Sequence, residues 1–64
     1  MSFGVLMSAF QAKLERFESL AIECELIADR SGGSERELYR KLAKRYRDLA
    51  LDMRTLIATF DVAA

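Results

Sequence analysis

The sequence contains no proline, no histidine and only one cysteine, and its ten acidic residues balance its ten basic residues. One cysteine cannot form a disulfide within the chain, and without histidine there is no cluster of Cys and His at metal-ligand spacing. A net charge of zero gives no long-range field that would attract DNA, RNA or an anionic membrane. We therefore expect no metal and no cofactor, and the charge balance disfavours nucleic-acid and membrane binding.

The chain does have a high share of apolar residues for its length. Hydrophobic residues make up 52% of its 64 positions, too many for a disordered segment. A chain this short lies near the lower limit for folding alone, and disulfides and metals, the usual supports of small domains, are not expected here. Oligomerisation is the remaining means of stabilisation. The single cysteine and the lack of an export signal favour the cytoplasm of a bacterium or a similar cell.

Apolar residues recur at alternating spacings of four and three in both halves of the chain, which predicts two amphipathic helices. The stretch Ser31-Gly32-Gly33-Ser34 between them suits a turn, since glycine readily takes the left-handed conformation past a helix end. Ser34 and Glu37 have the spacing of a capping box for helix 2. The sequence thus predicts one all-α antiparallel hairpin, with helix 1 over about residues 3–30, a turn over 31–34 and helix 2 over about 35–61. Helix 1 begins at either Ser2 or Ser8, which both suit a helix start.

In heptad notation, each helix presents two apolar series to the seam between the helices. The d series consists of Phe3, Phe10, Phe17 and Cys24 in helix 1 and of Tyr39, Tyr46, Met53 and Phe60 in helix 2. The a series consists of Met7, Leu14, Ala21 and Ala28 in helix 1 and of Ala43, Ala50 and Ile57 in helix 2. In an antiparallel pair, a residues of one helix oppose d residues of the other. Large side chains then tend to meet small ones, with Phe17 against Ala50 and Tyr46 against Ala21.

The stretch RELYRKLAKRYR, residues 36–47, carries six of the ten basic residues. The hairpin register places Glu18 opposite Arg47 and Glu25 opposite Arg40, so this charge has an acidic counterpart in helix 1. Exposed pairs of this kind contribute about 0.2–1 kcal/mol each, and their main effect is to select this pairing of the helices.

The alternative interpretation of the same stretch is a nucleic-acid-binding face formed by Arg36, Arg40, Lys44 and Arg45. Two features of the sequence argue against it. The net charge is zero, and the two tyrosines that would stack on bases belong to the apolar stripe. A solvated and paired face is the preferred interpretation.

A third apolar series, at the g positions, lies beside the d series and widens each stripe beyond what a two-helix seam covers. This series, which we call the apolar flank and which only Lys13 interrupts, comprises Leu6, Leu20, Ile27, Leu42, Leu49 and Leu56. A contiguous apolar surface usually marks an interface, so we expect two hairpins to form a four-helix bundle with two-fold symmetry. A homodimer is expected. A tetramer, either relative orientation of the hairpins, and exchange of helix 2 through the glycines stay open.

Residues 21–50 contain the arrangement Ala21-x-x-Cys24-x-x-x-Ala28 followed by Tyr39-x-x-x-Ala43-x-x-Tyr46-x-x-Leu49-Ala50. This arrangement resembles a loose class of short bacterial helical-hairpin proteins that have no assigned activity, which supports the hairpin fold. In overall plan the chain is also similar to the plasmid copy-number regulator Rop, a hairpin that dimerises and binds paired RNA loops. That similarity is an analogy of fold alone.

The sequence supplies no acid–base pair, no nucleophile with its base and no phosphate-binding loop, so we expect no enzymatic activity. Cys24 is interpreted as a small core residue. The expected function is a helical interaction module that binds itself or another helical protein, as a regulator or a chaperone. A Rop-like RNA-binding dimer is the alternative. Ile22, Leu26 and Leu51 point away from the predicted seam and are expected to have no more than a minor role in a further contact.

Overall fold

The computed structural model consists of two α-helices, α1 (Phe3–Arg30) and α2 (Gly33–Ala63), which pack against each other as an antiparallel hairpin. It describes residues 3–63, with side chains described for residues 4–61. A helix of 31 residues, the length of α2, is ~46 Å long. The molecule measures 47 × 16 × 13 Å, so it is a rod one helix long and two helices wide. The predicted all-α hairpin is therefore confirmed.

The start of α1 distinguishes between the two predicted helix starts. Ser8 lies inside α1, which already includes Phe3, so a start at Ser8 is wrong. The other candidate, Ser2, lies outside the described residues. Residues 3–12 contain no proline and one glycine, Gly4, so little in this segment interrupts the helix.

The turn is shorter than the sequence suggests, because only residues 31 and 32 lie between the helices instead of residues 31–34. Gly33 has a φ of +60°, the left-handed conformation that glycine adopts at little cost, and the chain reverses direction there. Ser34 therefore lies in the first turn of α2, and its side chain makes no hydrogen bond to any described residue. The predicted capping box of Ser34 with Glu37 is wrong for this reason.

The C-terminal end of α1 is capped partly from α2. The backbone N–H of Ser31 donates to the carbonyl oxygen of Ala28 at 3.1 Å, and its hydroxyl donates to that of Ile27 at 2.7 Å. The Nε of Arg36 donates to the carbonyl oxygens of Ala28 at 3.2 Å and Ser31 at 2.9 Å. Carbonyls at a helix end lack helical partners and carry partial negative charge, which a cation compensates. Arg36 thus ties α2 to the end of α1.

Small side chains form the tightest part of the seam. The buried residues are Leu14, Ala21, Cys24, Ala28, Ala43 and Ala50, and all but Cys24 belong to the a series. Four of them are alanines, and short side chains at the contact let two helices approach closely. The closest packing therefore lies in the half of the hairpin next to the turn.

Phe10 and Phe17 of α1 each contact an aromatic ring of α2 across the seam. The ring centroids of Phe10 and Phe60 are 5.5 Å apart, and those of Phe17 and Tyr46 are 6.4 Å apart with an interplanar angle of 24°. The sequence suggested that Phe17 and Tyr46 each face an alanine. Because alanine fills little space, the two rings reach each other, and d residues contact d residues.

Replacement of Gly33 by alanine should destabilise the hairpin by about 1–2 kcal/mol, because the left-handed conformation crowds Cβ against the next carbonyl. Gly32→Ala is the matched control, since only Gly33 has a positive φ and a Cβ at either position meets no atom within 4 Å. The control should keep or raise stability, by up to ~1 kcal/mol. Urea unfolding followed by circular dichroism measures both variants, and equal stabilities would contradict the turn geometry.

Loss of the Arg36 cap should lower stability by about 1 kcal/mol, because one carbonyl in the last turn of α1 and one in the connecting turn lose a charged donor. Arg36→Met keeps the apolar stem while removing the guanidinium. Arg40→Met is the control, because Arg40 lies one turn away on the same helix and makes no ion pair with any described residue. It should change stability by less than about 0.5 kcal/mol. Equal losses in the two variants would mean that the cap does not stabilise the hairpin.

Candidate functional site: two faces of the hairpin

The apolar flank is only partly covered in the single hairpin. Its six residues fall on the d side of the seam, because g positions neighbour d positions on a helix. Leu6, Leu20, Leu42 and Leu49 are half-buried, and Ile27 and Leu56 are exposed to 40% and 39%. One side of the rod therefore presents a row of aliphatic side chains that the hairpin itself does not bury.

The d series beside the apolar flank is also left open. The half-buried members of this series are Phe10, Phe17, Tyr39, Tyr46, Met53 and Phe60. Only Cys24 is buried among the d residues whose side chains are described, whereas five of the seven a residues are buried. The seam is therefore closed on its a side and open on its d side, where aromatic rings and the apolar flank form one surface.

Two ion pairs join the helices on the opposite side of the seam, at the e positions. Glu18 pairs with Arg54, and Glu25 pairs with Arg47. The predicted pairs were Glu18 with Arg47 and Glu25 with Arg40. Each predicted partner is therefore wrong by one heptad, and Arg40 makes no ion pair with any described residue.

The direction of helical side chains explains this shift of one heptad. Side chains lean toward the N terminus of their own helix. A glutamate of α1 therefore reaches away from the turn, while an arginine of α2 reaches toward it. The two tips meet only when the arginine lies further from the turn than the residue directly opposite the glutamate. Arg54 satisfies this condition for Glu18, as Arg47 does for Glu25.

The e positions and the neighbouring b positions form a face on which charge is divided between the helices. The acidic residues of this face lie on α1 and the basic residues on α2: Glu15, Glu18, Glu25 and Asp29, against Arg40, Lys44, Arg47 and Arg54. The exceptions are Glu37 and Asp61, near the two ends of α2. All eight charged side chains are exposed or half-buried. We call this surface the charge-divided face.

An apolar groove of about 350 Å³ lies between the two ion pairs of the charge-divided face. Ala21 and Ala50, both buried, form its floor. Ile22 and Leu51 stand beside them and are exposed to 58% and 60%. The groove exists because the alanines that bring the helices together leave the space above them empty.

Ile22 and Leu51 are the residues that sequence reasoning undervalued, since single exposed aliphatic residues are normal. The signal that marks them is a short pattern that occurs once in each helix. Residues 20–23 read Leu-Ala-Ile-Glu and residues 49–52 read Leu-Ala-Leu-Asp. The antiparallel hairpin places these two segments side by side, so that both outward aliphatic residues border the same groove.

The four residues of the possible nucleic-acid face do not form one free basic surface. Arg36, Arg40 and Lys44 line a shallow groove near the turn, and Lys44 also lines a second groove together with Arg45 and Asp48. Arg36 caps α1, and the Nζ of Lys44 contacts Oδ2 of Asp48 at 3.2 Å. Two of the four cations are therefore engaged within the chain.

Residues 3–63 contain no group of three or more His, Cys, Asp or Glu side chains arranged to hold a metal ion. Cys24 is a free and buried thiol in the seam. Neither described helix is long and apolar enough to cross a membrane. We therefore take the open d side with the apolar flank, and the charge-divided face, as the candidate functional surfaces.

No protein-family model matches the chain, and no curated protein or solved structure shows significant similarity to it. Its function is therefore inferred from the geometry and chemistry of these two surfaces.

Proposed function

We propose that the chain is a non-enzymatic helical interaction module that self-associates through its open d side and apolar flank. The observation that carries this proposal is the half-buried state of the aromatic d residues, which belong to the seam yet remain uncovered in one hairpin. Large apolar side chains exposed together on one side of a protein usually mark an interface.

A second copy is the occupant that best supports this surface. Two hairpins stacked on their d sides form a four-helix bundle, in which the d residues become the central core. One long face of a 47 × 16 Å rod is close to the ~800 Å² per partner that a stable interface buries. A chain of 64 residues with a single cysteine also gains more from association than a larger domain would.

Charges beside the apolar flank are consistent with such an interface. Arg16 and Glu23 on α1, and Arg45 and Asp52 on α2, border the flank at the c positions and are exposed. None of the four makes an ion pair with a described residue, in contrast to Glu18, Glu25, Arg47 and Arg54 on the other side. A rim of unpaired charges of both signs around an apolar centre is typical of association surfaces.

The same surface suits a helix of another protein, so a regulator or chaperone of a helical partner belongs to this proposal. The single cysteine, buried and unpaired, fits a reducing, cytoplasmic setting. The geometry favours this module over the Rop-like RNA-binding alternative. Of the four cations required for that alternative, Arg36 and Lys44 already have partners within the chain, and Arg45 lines a groove that also contains Asp48 and Asp52.

Sedimentation equilibrium over a dilution series tests the proposal. The parent chain should have twice its monomer mass of 7.3 kDa. Leu49→Asp, which places a carboxylate in the apolar flank, should weaken dimerisation at least about 100-fold, corresponding to a loss of ~3 kcal/mol. Leu26→Asp is the control, because Leu26 is 51% exposed and lies on neither surface. It should leave the mass unchanged.

Circular dichroism of both variants separates loss of association from loss of helix. A parent chain that stays monomeric at all concentrations would overturn the proposal. If the Leu49→Asp variant remains a dimer, the interface lies outside the apolar flank.

A further inference from the structure

The charged and apolar side chains of the charge-divided face remain partly exposed even though four of its charges are paired within the chain. The side chains of Glu18, Arg54, Glu25 and Arg47 are 38%, 60%, 48% and 52% exposed, although each already has an ionic partner. The groove between the two ion pairs also leaves Ile22 and Leu51 exposed. An apolar centre with charges of both signs at its ends has the composition of an interface.

Two arrangements with two-fold symmetry bring this face against the same face of a second copy. If the axis runs parallel to the helices, α1 lies over α2 of the partner subunit and the two turns lie at the same end. If the axis runs across the helices, α1 lies over the partner's α1. In the second arrangement the acidic row meets an acidic row and the basic row meets a basic row. Charge complementarity therefore selects the first arrangement.

Symmetry also fixes the register of the first arrangement. A two-fold axis parallel to the helices leaves the height of every residue along the rod unchanged. Glu18 contacts Arg54 of its own chain, so the two side-chain ends lie at the same height. Glu18 therefore also meets the partner's Arg54 at that height, and the same holds for Glu25 and the partner's Arg47.

We propose that the charge-divided face binds the same face of a second copy of this chain, with α1 over the partner's α2 and both turns at one end. Each intrachain ion pair then becomes half of a ring of four alternating charges. Between the two rings, Ile22 packs against Leu51 of the partner subunit above the alanine floor. The outer charges continue the pattern, since Asp29 lies near the partner's Lys44.

This contact is independent of the apolar flank, which lies on the other side of the hairpin. It also differs from the flank in its response to salt. Exposed charges are screened over about 10 Å at 0.1 M salt and over about 3 Å at 1 M, so this association should weaken as salt is added. Association through apolar surface does not weaken in this way.

Two double variants and their mixture test the proposal. Glu18→Arg with Glu25→Arg leaves only cations at the sites of the two ion pairs, and Arg47→Glu with Arg54→Glu leaves only anions there. At low ionic strength, each double variant alone should associate through this face at least tenfold more weakly than the parent chain. An equimolar mixture of the two should recover the association, because a basic face then meets an acidic face.

Two further variants keep the test decisive if the double variants fold poorly. The quadruple variant, which exchanges all four charges, restores both intrachain pairs and should associate like the parent chain. Ile22 is exposed, so Ile22→Asp should leave both ion pairs in place. It should nevertheless abolish the salt-dependent association. Circular dichroism checks the helix content of each protein.

The parent chain, measured by light scattering at roughly 20 mM and 1 M salt, separates this inference from the proposed function. A dimer at high salt that becomes heavier at low salt supports both. A dimer at both concentrations, with no gain in mass on mixing the double variants, overturns the inference and leaves the proposed function intact. A monomer at high salt that dimerises at low salt overturns the proposed function and supports the inference. A monomer throughout overturns both.

Discussion

The close approach of α1 and α2 at Ala21, Ala28, Ala43 and Ala50 is the contact on which the other features of the hairpin depend. Because the side chains at this contact are methyl groups, the helices approach closely there and leave little room for an aromatic ring. The aromatic d residues are therefore displaced to one side of the seam, where they stay half-buried. On the other side the helices are near enough for glutamate and arginine side chains to span the seam. The open d side and the charge-divided face thus both result from the close packing of the helices at these alanines.

The two faces lie on opposite sides of the rod and differ in the forces they offer. The d side offers non-directional burial of apolar surface, and its strength depends on the area covered. The charge-divided face offers little apolar area but a fixed order of charges, which specifies orientation more than affinity. Because the two faces point in opposite directions, hairpins that associated through both would form an open row and would not close into a ring.

The fold was predictable from the sequence because the relevant signals are local. Apolar spacing predicted both helices, and the glycine pair predicted the turn. The length of the turn was not predictable, because it depends on which glycine takes the positive φ, and Gly33 does so. The ion-pair partners were missed for a geometric reason. Heptad letters place Cα positions, whereas the lean of a long side chain decides which charges meet.

The candidate functional surfaces were predictable only in part. The g positions marked the apolar flank, because a stripe wider than a two-helix seam is visible in the sequence. Ile22 and Leu51 were undervalued because each is a single aliphatic residue among charged neighbours. Their significance comes from the alanine floor between them and from the ion pairs at both ends of the groove. Those relations exist only once the helices are placed side by side.

The position of Cys24 has one more consequence. It is the only thiol of the chain, and the seam buries it between the helices. A thiol reagent in solution reaches a buried sulfur only while the surrounding structure is open. The rate at which the unmodified protein is alkylated therefore reports how often the structure around Cys24 opens. The chain thus carries a native probe of its own opening equilibrium, at the centre of the contact that holds it together.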